Sequence, residues 1–381
     1  MSEHMSDDLT AAGREVRSFT DELRPQHAVV QNSSGEWCVL RHAEVVQAAT
    51  DDVTFSSGVS RHLQVPNGLD GADHDAFRAL VDEFFTPEAL SPYAPLFEQV
   101  AAEIVAGLPR GQVTDPIDAV DDIGAVFAVR AQCGWLGWPA DLEPRLLAWM
   151  RENHAATRSG DYSWTAAVAE DFDAIILEVL APRSGFGVTA PDDLTTRLVR
   201  SRVGGEPLTQ AQLVSILRNW TGGDLGSIAL CVGVVVAHLA RDPQLLASLA
   251  GAPDERVDAV VDEILRLDNP FVSNRRVTTC PTRLGGQELP TGARMKLHWT
   301  SANRDESVFG VDRFDPEGHR ADNLVYGIGR HVCPGRPLAA IQLRALVHAL
   351  LDGTSGVELA GEPEREISPV GGYRHVPIVV R

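Results

Sequence analysis

Apolar positions along the 381-residue chain fall mostly at helical spacing. In "SPYAPLFEQVAAEIVAGL" and "DERVDAVVDEILRL" they recur every three or four residues, so each stretch predicts a helix with one buried face. "RPLAAIQLRALVHALL" has the same spacing and directly follows a Cys-Pro-Gly turn. A longer segment, "LTQAQLVSILRNWTGGDLGSIALCVGVVVAHLARDP", opens on Thr209 and Gln212, the spacing of a capping box. It closes where Pro243 removes an amide donor. Roughly thirty residues at about 1.5 Å each make a helix of ~45 Å. Its C-terminal half is apolar on nearly all faces, which predicts a course through the middle of the molecule. Strand patterns are few and short: "EWCVL", a hairpin-like pair in "TRLGGQELPTGARMKLHW", and "HVPIVV". The chain is therefore expected to be mainly α with small β-sheets. No linker is long enough to divide it, so one domain over residues 1–381 is expected, with residues 1–15 flexible.

Charge narrows the partners. Lys and Arg total 33 against 53 Asp and Glu, a formal net charge of −20. Such a chain repels phosphate backbones, so nucleic acid is not an expected partner. The N-terminus "MSEHMSDDLT" is polar and is not a signal peptide. The longest apolar run, Ile228 to Ala237, is well short of the ~20 residues of a membrane span. No membrane association is expected, and the location is expected to be cytoplasmic. The five cysteines, Cys38, Cys133, Cys231, Cys280 and Cys333, form no CxxC pair and no zinc spacing, which fits a reducing compartment.

One cysteine stands in a constrained setting. In "YGIGRHVCPGRPLA" the glycines Gly327 and Gly329 permit close backbone approach, Pro334 fixes the backbone after Cys333, and Gly335 precedes a helix. The amides and dipole of a helix start favour an anionic sulfur ligand over a thiol. Gly327, Gly329, His331, Cys333 and Gly335 complete the pattern G-x-G-x-H-x-C-x-G. This closely resembles the haem-binding signature of the cytochrome P450 family, with Tyr326 where the family usually has Phe. The resemblance implies that fold, with haem b (Fe-protoporphyrin IX) between a long central helix and the cysteine-ligand loop and helix, and with Cys333 as the axial thiolate.

Other segments carry the same resemblance in the family's order. "EILR" supplies Glu263 and Arg266, and "DRF" supplies Arg313, which the resemblance implies are a buried structural network. "HDAFR" places His74 and Arg78 four residues apart on one helix face. With Arg276 (Arg275 being the neighbouring candidate) and His331, they are implied to hold the haem propionates. In the long helix, Gly222, Gly223 and Gly226 imply either a packing surface or a distortion where dioxygen binds. The family places an acid and then an alcohol there. One register puts Asp224 and Leu225 at those positions. Counting back from "HLARDP" puts Gly226 and Ser227 there, keeps the distance to the helix end and supplies a hydroxyl. Asp224 then lies a turn before Ser227, able to feed a water chain.

The implied activity is insertion of one oxygen atom from O2 into a C–H bond of a small organic substrate, by hydroxylation or oxidative dealkylation. The chain has no room for a reductase domain and no GxGxxG fingerprint. Electrons from NAD(P)H are thus expected through a separate ferredoxin or flavodoxin, with Arg330 and Arg336 meeting an acidic partner. Leu225, Val272, Ser273 and Asn274 are the expected substrate contacts, "SSGVSRHLQVPNGLDG" the lid, and "AWMRENHAATRSGDYSW" a roof. Two other readings stay open: a peroxide-driven peroxygenase, motivated by the missing acid before Ser227, and a non-catalytic haem protein.

Overall fold

The long helix organises the rest of the molecule. In a computed structural model that describes residues 4–5, 16–111, 116–184, 190–311, 313–366 and 370–381, it runs without interruption from Gln210 to Arg241. The expected capping box is formed: the Thr209 amide donates to Gln212 Oε1 (2.8 Å) and the Gln212 amide to Thr209 Oγ1 (3.3 Å). The helix is α from Gln210 to Arg218, widens to a π-turn over Asn219–Gly223, and is α again from Asp224 to Arg241. By length and composition it could cross a membrane, yet most of it is buried inside the protein. It packs against the π-helical segment Ala119–Ala125 and the helices Val126–Leu136, Asp254–Leu267 and Arg336–Gly353.

Two glycines set how closely the π-helical segment approaches. A Cβ on Gly124 would stand 2.8 Å from the Ala229 carbonyl, and one on Gly233 would stand 2.5 Å from Val120 Cγ2. One apolar cluster from Val65 to Val380 fills the helical part. A smaller one from Val29 to Leu324 lies under the main sheet.

That sheet has six strands, in the order His4–Met5, Val29–Asn32, Trp37–Val39, Arg294–His298, Ser273–Thr278 and Phe55–Ser56. "EWCVL" and the end of the hairpin-like stretch thus meet in one sheet, Met295 opposite Trp37. The hairpin itself pairs Thr282–Leu284 with Gln287–Leu289 through Gly285 and Gly286, both at positive φ. "HVPIVV" supplies Pro377–Val380, between Val357–Leu359 and Ile117–Asp118. Apart from His4 and Met5, the N-terminal residues 1–15, expected to be flexible, lie outside the described residues.

Candidate active site

Cys333 is held by its own loop. Its amide donates to the Tyr326 carbonyl (2.8 Å), closing the turn that Gly327 and Gly329 open with φ of 71° and 75°. A Cβ on Gly329 would stand 3.1 Å from the Ala49 carbonyl, so the loop can lie against that backbone only with glycine there. The sulfur is open to a cavity of about 440 Å³ and otherwise closely walled. Burial, reinforced by Asp224, pushes its thiol up to about 11, against the backbone amides of Gly335 and Arg336 that point at it. The amides of the helix start thus favour the thiolate as expected, desolvation outweighs them for the bare thiol, and a bound metal cation would hold the sulfur deprotonated. Tyr326 is half-buried beside the loop and lines the cavity, with the Arg336 guanidinium 5.2 Å from its ring centre.

The π-turn of the long helix borders the same cavity. Gly223 is open to it, Asp224 and Ser227 line it, and Ser227 Oγ donates to the Gly223 carbonyl (2.6 Å). Asp224 accepts from Gln132 Nε2 (3.0 Å); Gln132 also donates to the Trp220 carbonyl, and its own Oε1 accepts from Gln342 Nε2 (3.4 Å). With no cation beside it, burial raises the Asp224 carboxyl to about 7, while Gln132 opposes. Gly226 is not among the lining residues and faces the other way, toward His154.

Of the expected substrate contacts, Asn274 lines the cavity together with Phe271, Pro66 and Asn67. Leu225 is instead packed in the main core and Val272 against Val16, and neither Val272 nor Ser273 reaches the lining. The lid stretch is tied to the long helix. Ser215 Oγ accepts from the Val65 amide (2.8 Å) and donates to the Leu63 carbonyl (3.1 Å), while Asn219 Nδ2 donates to the Val65 carbonyl (3.0 Å).

A cationic edge closes the cavity near the sheet. Arg276 is only 6 % exposed, and its side chain's one hydrogen bond among the described residues goes to the Arg275 carbonyl (2.8 Å). Burial lowers its pKa, and among the described residues no carboxylate pairs with it at ion-pair distance, Asp70 and Asp52 acting only from further away. His331 stands beside it, with Nε2 3.1 Å from Ser57 Oγ. His74 packs behind His331, ring centres 4.3 Å apart. Arg78 grips the cysteine loop through the Val332 and Arg330 carbonyls (2.7 and 3.1 Å) and pairs with Asp82. A buried arginine that faces a cavity without an anion fits a carboxylate ligand. With a cysteine on the same cavity, it fits haem and its propionates.

The Glu263–Arg266 pair forms with both oxygens engaged (2.7 and 2.8 Å), at 2 % and 1 % exposure. Arg313 is corrected: its side chain is 67 % exposed on Asp315, and only its carbonyl receives Arg266 Nη2 (2.9 Å). His319, from outside the expected motifs, completes the network at 2.7 Å from Glu263 Oε1, next to the Asp315 amide (2.9 Å). Burial pushes the Glu263 carboxyl up, but Arg266, that amide and His319 together hold it below its ordinary value.

The cytochrome P450 family description matches residues 255–353, from the Glu263 helix through Cys333 and the helix after it. Cyclomarin C epoxidase CymV of Salinispora arenicola is 29% identical over 368 residues, 92% of each chain. Erythromycin C-12 hydroxylase of Saccharopolyspora erythraea is 27% identical, over 94% of this chain and 92% of that one. A solved mutant of P450 EryK in complex with erythromycin B superposes with TM-score 0.85 at 26% identity, covering 98% of this chain and 97% of the other. The chain belongs to the cytochrome P450 family. As a cytochrome P450 it is a haem monooxygenase, and the cysteine loop, the π-turn and the Arg276 edge surround one cavity. Sequence motifs missed Gln132, Gln342, His154 and His319. A glutamine inside the apolar helix Val126–Leu136 is itself a signal, since buried polar groups need partners.

Proposed function

We propose that this cytochrome P450 inserts one oxygen atom of O2 into a C–H bond of a small, mostly apolar secondary metabolite, in the cytoplasm. A separate ferredoxin or flavodoxin passes it electrons from NAD(P)H. The observation that carries this reading is that Cys333, Ser227, Arg276 and Asn274 share one cavity. Haem bound there supplies the oxygen-activating redox chemistry. Cys333 would be its thiolate ligand, with the Gly335 and Arg336 amides holding the sulfur's charge. Arg276 and His331 meet its propionates, with His74 and Arg78 fixing His331 and the loop from behind.

Above the cysteine, Ser227 holds a hydroxyl at the open π-turn, where Gly223 leaves room for a diatomic ligand. Phe271, Phe85 and Trp220 keep the wall apolar and exclude water. The Asn274 carbonyl oxygen is taken by Trp299 Nε1 (2.8 Å), which leaves its NH2 to donate to a substrate carbonyl or hydroxyl. The five cysteines are free, as a reducing cytoplasm requires. Arg330 and Arg336, expected at the donor's docking face, are already paired with Asp52 and Asp262 (2.6 and 2.9 Å), so a donor must compete with internal partners.

Peroxide-driven turnover is a second reading, favoured by Gly226, which brings no acid beside Ser227. Titrating the ferric protein with macrolides, cyclic peptides and terpenoids, followed by turnover under isotopically labelled O2, tests the proposal. One labelled oxygen atom in the product of an optically shifting ligand supports it. Product formed only with peroxide supports the second reading.

A further inference from the structure

We infer that His154 is the proton-relay residue of this site, joining a surface-side cavity to Ser227 at the point where the long helix itself offers only Gly226. The inference rests on the proposed oxygen chemistry and adds a residue to it. His154 lies in the helix Glu143–Ser159, which crosses the outer side of the π-turn. Its Nε2 is 3.2 Å from where a Cβ of Gly226 would be, so the imidazole occupies the space that a side chain at 226 would fill. It makes no hydrogen bond to any described residue.

Next to it is a small cavity of about 10 Å³, the space of one water, lined by His154, Asp121, Arg151, Ala125 and Ala229 among others. Asp121 and Arg151 are exposed and 4.0 Å apart, so this cavity borders solvent through charged groups. On the inner side, Ser227 follows Gly226 and faces the large cavity. Asp224 lines the large cavity as well but is held from the interior by Gln132, and it does not line the small solvent-side cavity.

The reaction needs such a relay. Substrate, O2, two electrons and two protons give hydroxylated substrate and one water. The electrons come from the ferredoxin or flavodoxin, and both protons must cross an otherwise apolar wall. His154 accepts a proton from the solvent side on one ring nitrogen and releases one from the other toward Ser227 through an intervening water. Each passage leaves the ring neutral again. Burial lowers the His154 pKa, helped by Arg158 one turn along and opposed by Asp121, which keeps the ring ready to release its proton. These two and Arg151 are the charged groups around it; the long helix contributes Gly226 and Ala229, which carry none.

Two measurements on the holoenzyme test this without the natural substrate. The first is the NMR titration of the His154 ring in the diamagnetic ferrous carbon-monoxide form. The second is the pH profile of guaiacol oxidation by hydrogen peroxide, in which the dye gives two electrons and peroxide takes them with two protons to become two waters. The profile should inflect at the pKa of His154. His154→Gln should lose that inflection and slow the reaction on the order of 10²-fold, and adding Gly226→Asp to it should restore the rate. Asp121→Asn should lower the His154 pKa and move the inflection with it, which keeps the test valid if His154→Gln fails to take up haem. An unchanged profile in His154→Gln, or an inflection that Asp121→Asn leaves in place, would overturn the relay. A normal carbon-monoxide spectrum beside either result would sink the relay alone, whereas loss of the thiolate band in the wild type would sink the proposed chemistry beneath it.

Discussion

Asp224 is a carboxylic acid that faces no cationic side chain among the described residues, and Gln132 supplies its one side-chain hydrogen bond among them. Its pKa of about 7 has a direct consequence for stability. In the unfolded chain the group titrates near 3.8, so between that pH and about 7 the folded state binds more protons than the unfolded one. Stability therefore falls as pH rises through this window and levels off above it. Asp224→Asn removes the titration. Denaturant unfolding should find the variant equal to wild type near pH 4 and more stable by roughly 2–4 kcal/mol at pH 8; a constant difference across that range would contradict the burial argument. Cys333 and His331 were legible because one short motif holds both. His154, Gln132 and His319 were not, because each reaches its partner from a distant segment, and no local spacing encodes that meeting.

At the scale of elements, the glycines of the long helix separate into two kinds. A Cβ on Gly222 would be 2.9 Å from Phe172 Cε1 and 3.2 Å from Trp149 Cη2, in the stacked pair that closes the roof. Gly223 has nothing within 4 Å of the same added atom. Gly222→Ala should cost about 1–3 kcal/mol by overpacking. Gly223→Ala should cost nothing by packing and should narrow only the cavity, seen as weaker ligand binding at unchanged melting temperature. Equal destabilisation by both would refute the assignment. The capping box and the end of this helix were legible in the sequence. The glycine cluster pointed to a distortion or a packing surface, and the structure contains both: a π-turn at Asn219–Gly223 and the Gly222 contact.

The Glu263–Arg266 pair was legible too, but its third partner was not, since Arg313 offers only a carbonyl. Glu263→Gln leaves Arg266 buried without its counter-charge and should cost about 3–5 kcal/mol, measured as loss of folded, haem-loaded protein on expression. Arg313→Ala should be nearly silent by the same assay, because the carbonyl stays.

Across the whole molecule, the helical frame follows from period alone, whereas the sheet does not. Its neighbours Trp37–Val39 and Arg294–His298 come from opposite ends of the chain, and neither is long enough to announce a partner. The cavity likewise exists only once the cysteine loop, the long helix and the Ser273–Thr278 strand are assembled. What binds all three scales is the claim that Cys333 ligates haem iron on that cavity. The reduced carbon-monoxide difference spectrum of the purified protein tests it most directly. The account predicts the long-wavelength Soret band of thiolate ligation in the wild type and its loss in Cys333→Ala. Protein without haem, or a band that survives in Cys333→Ala, would contradict it.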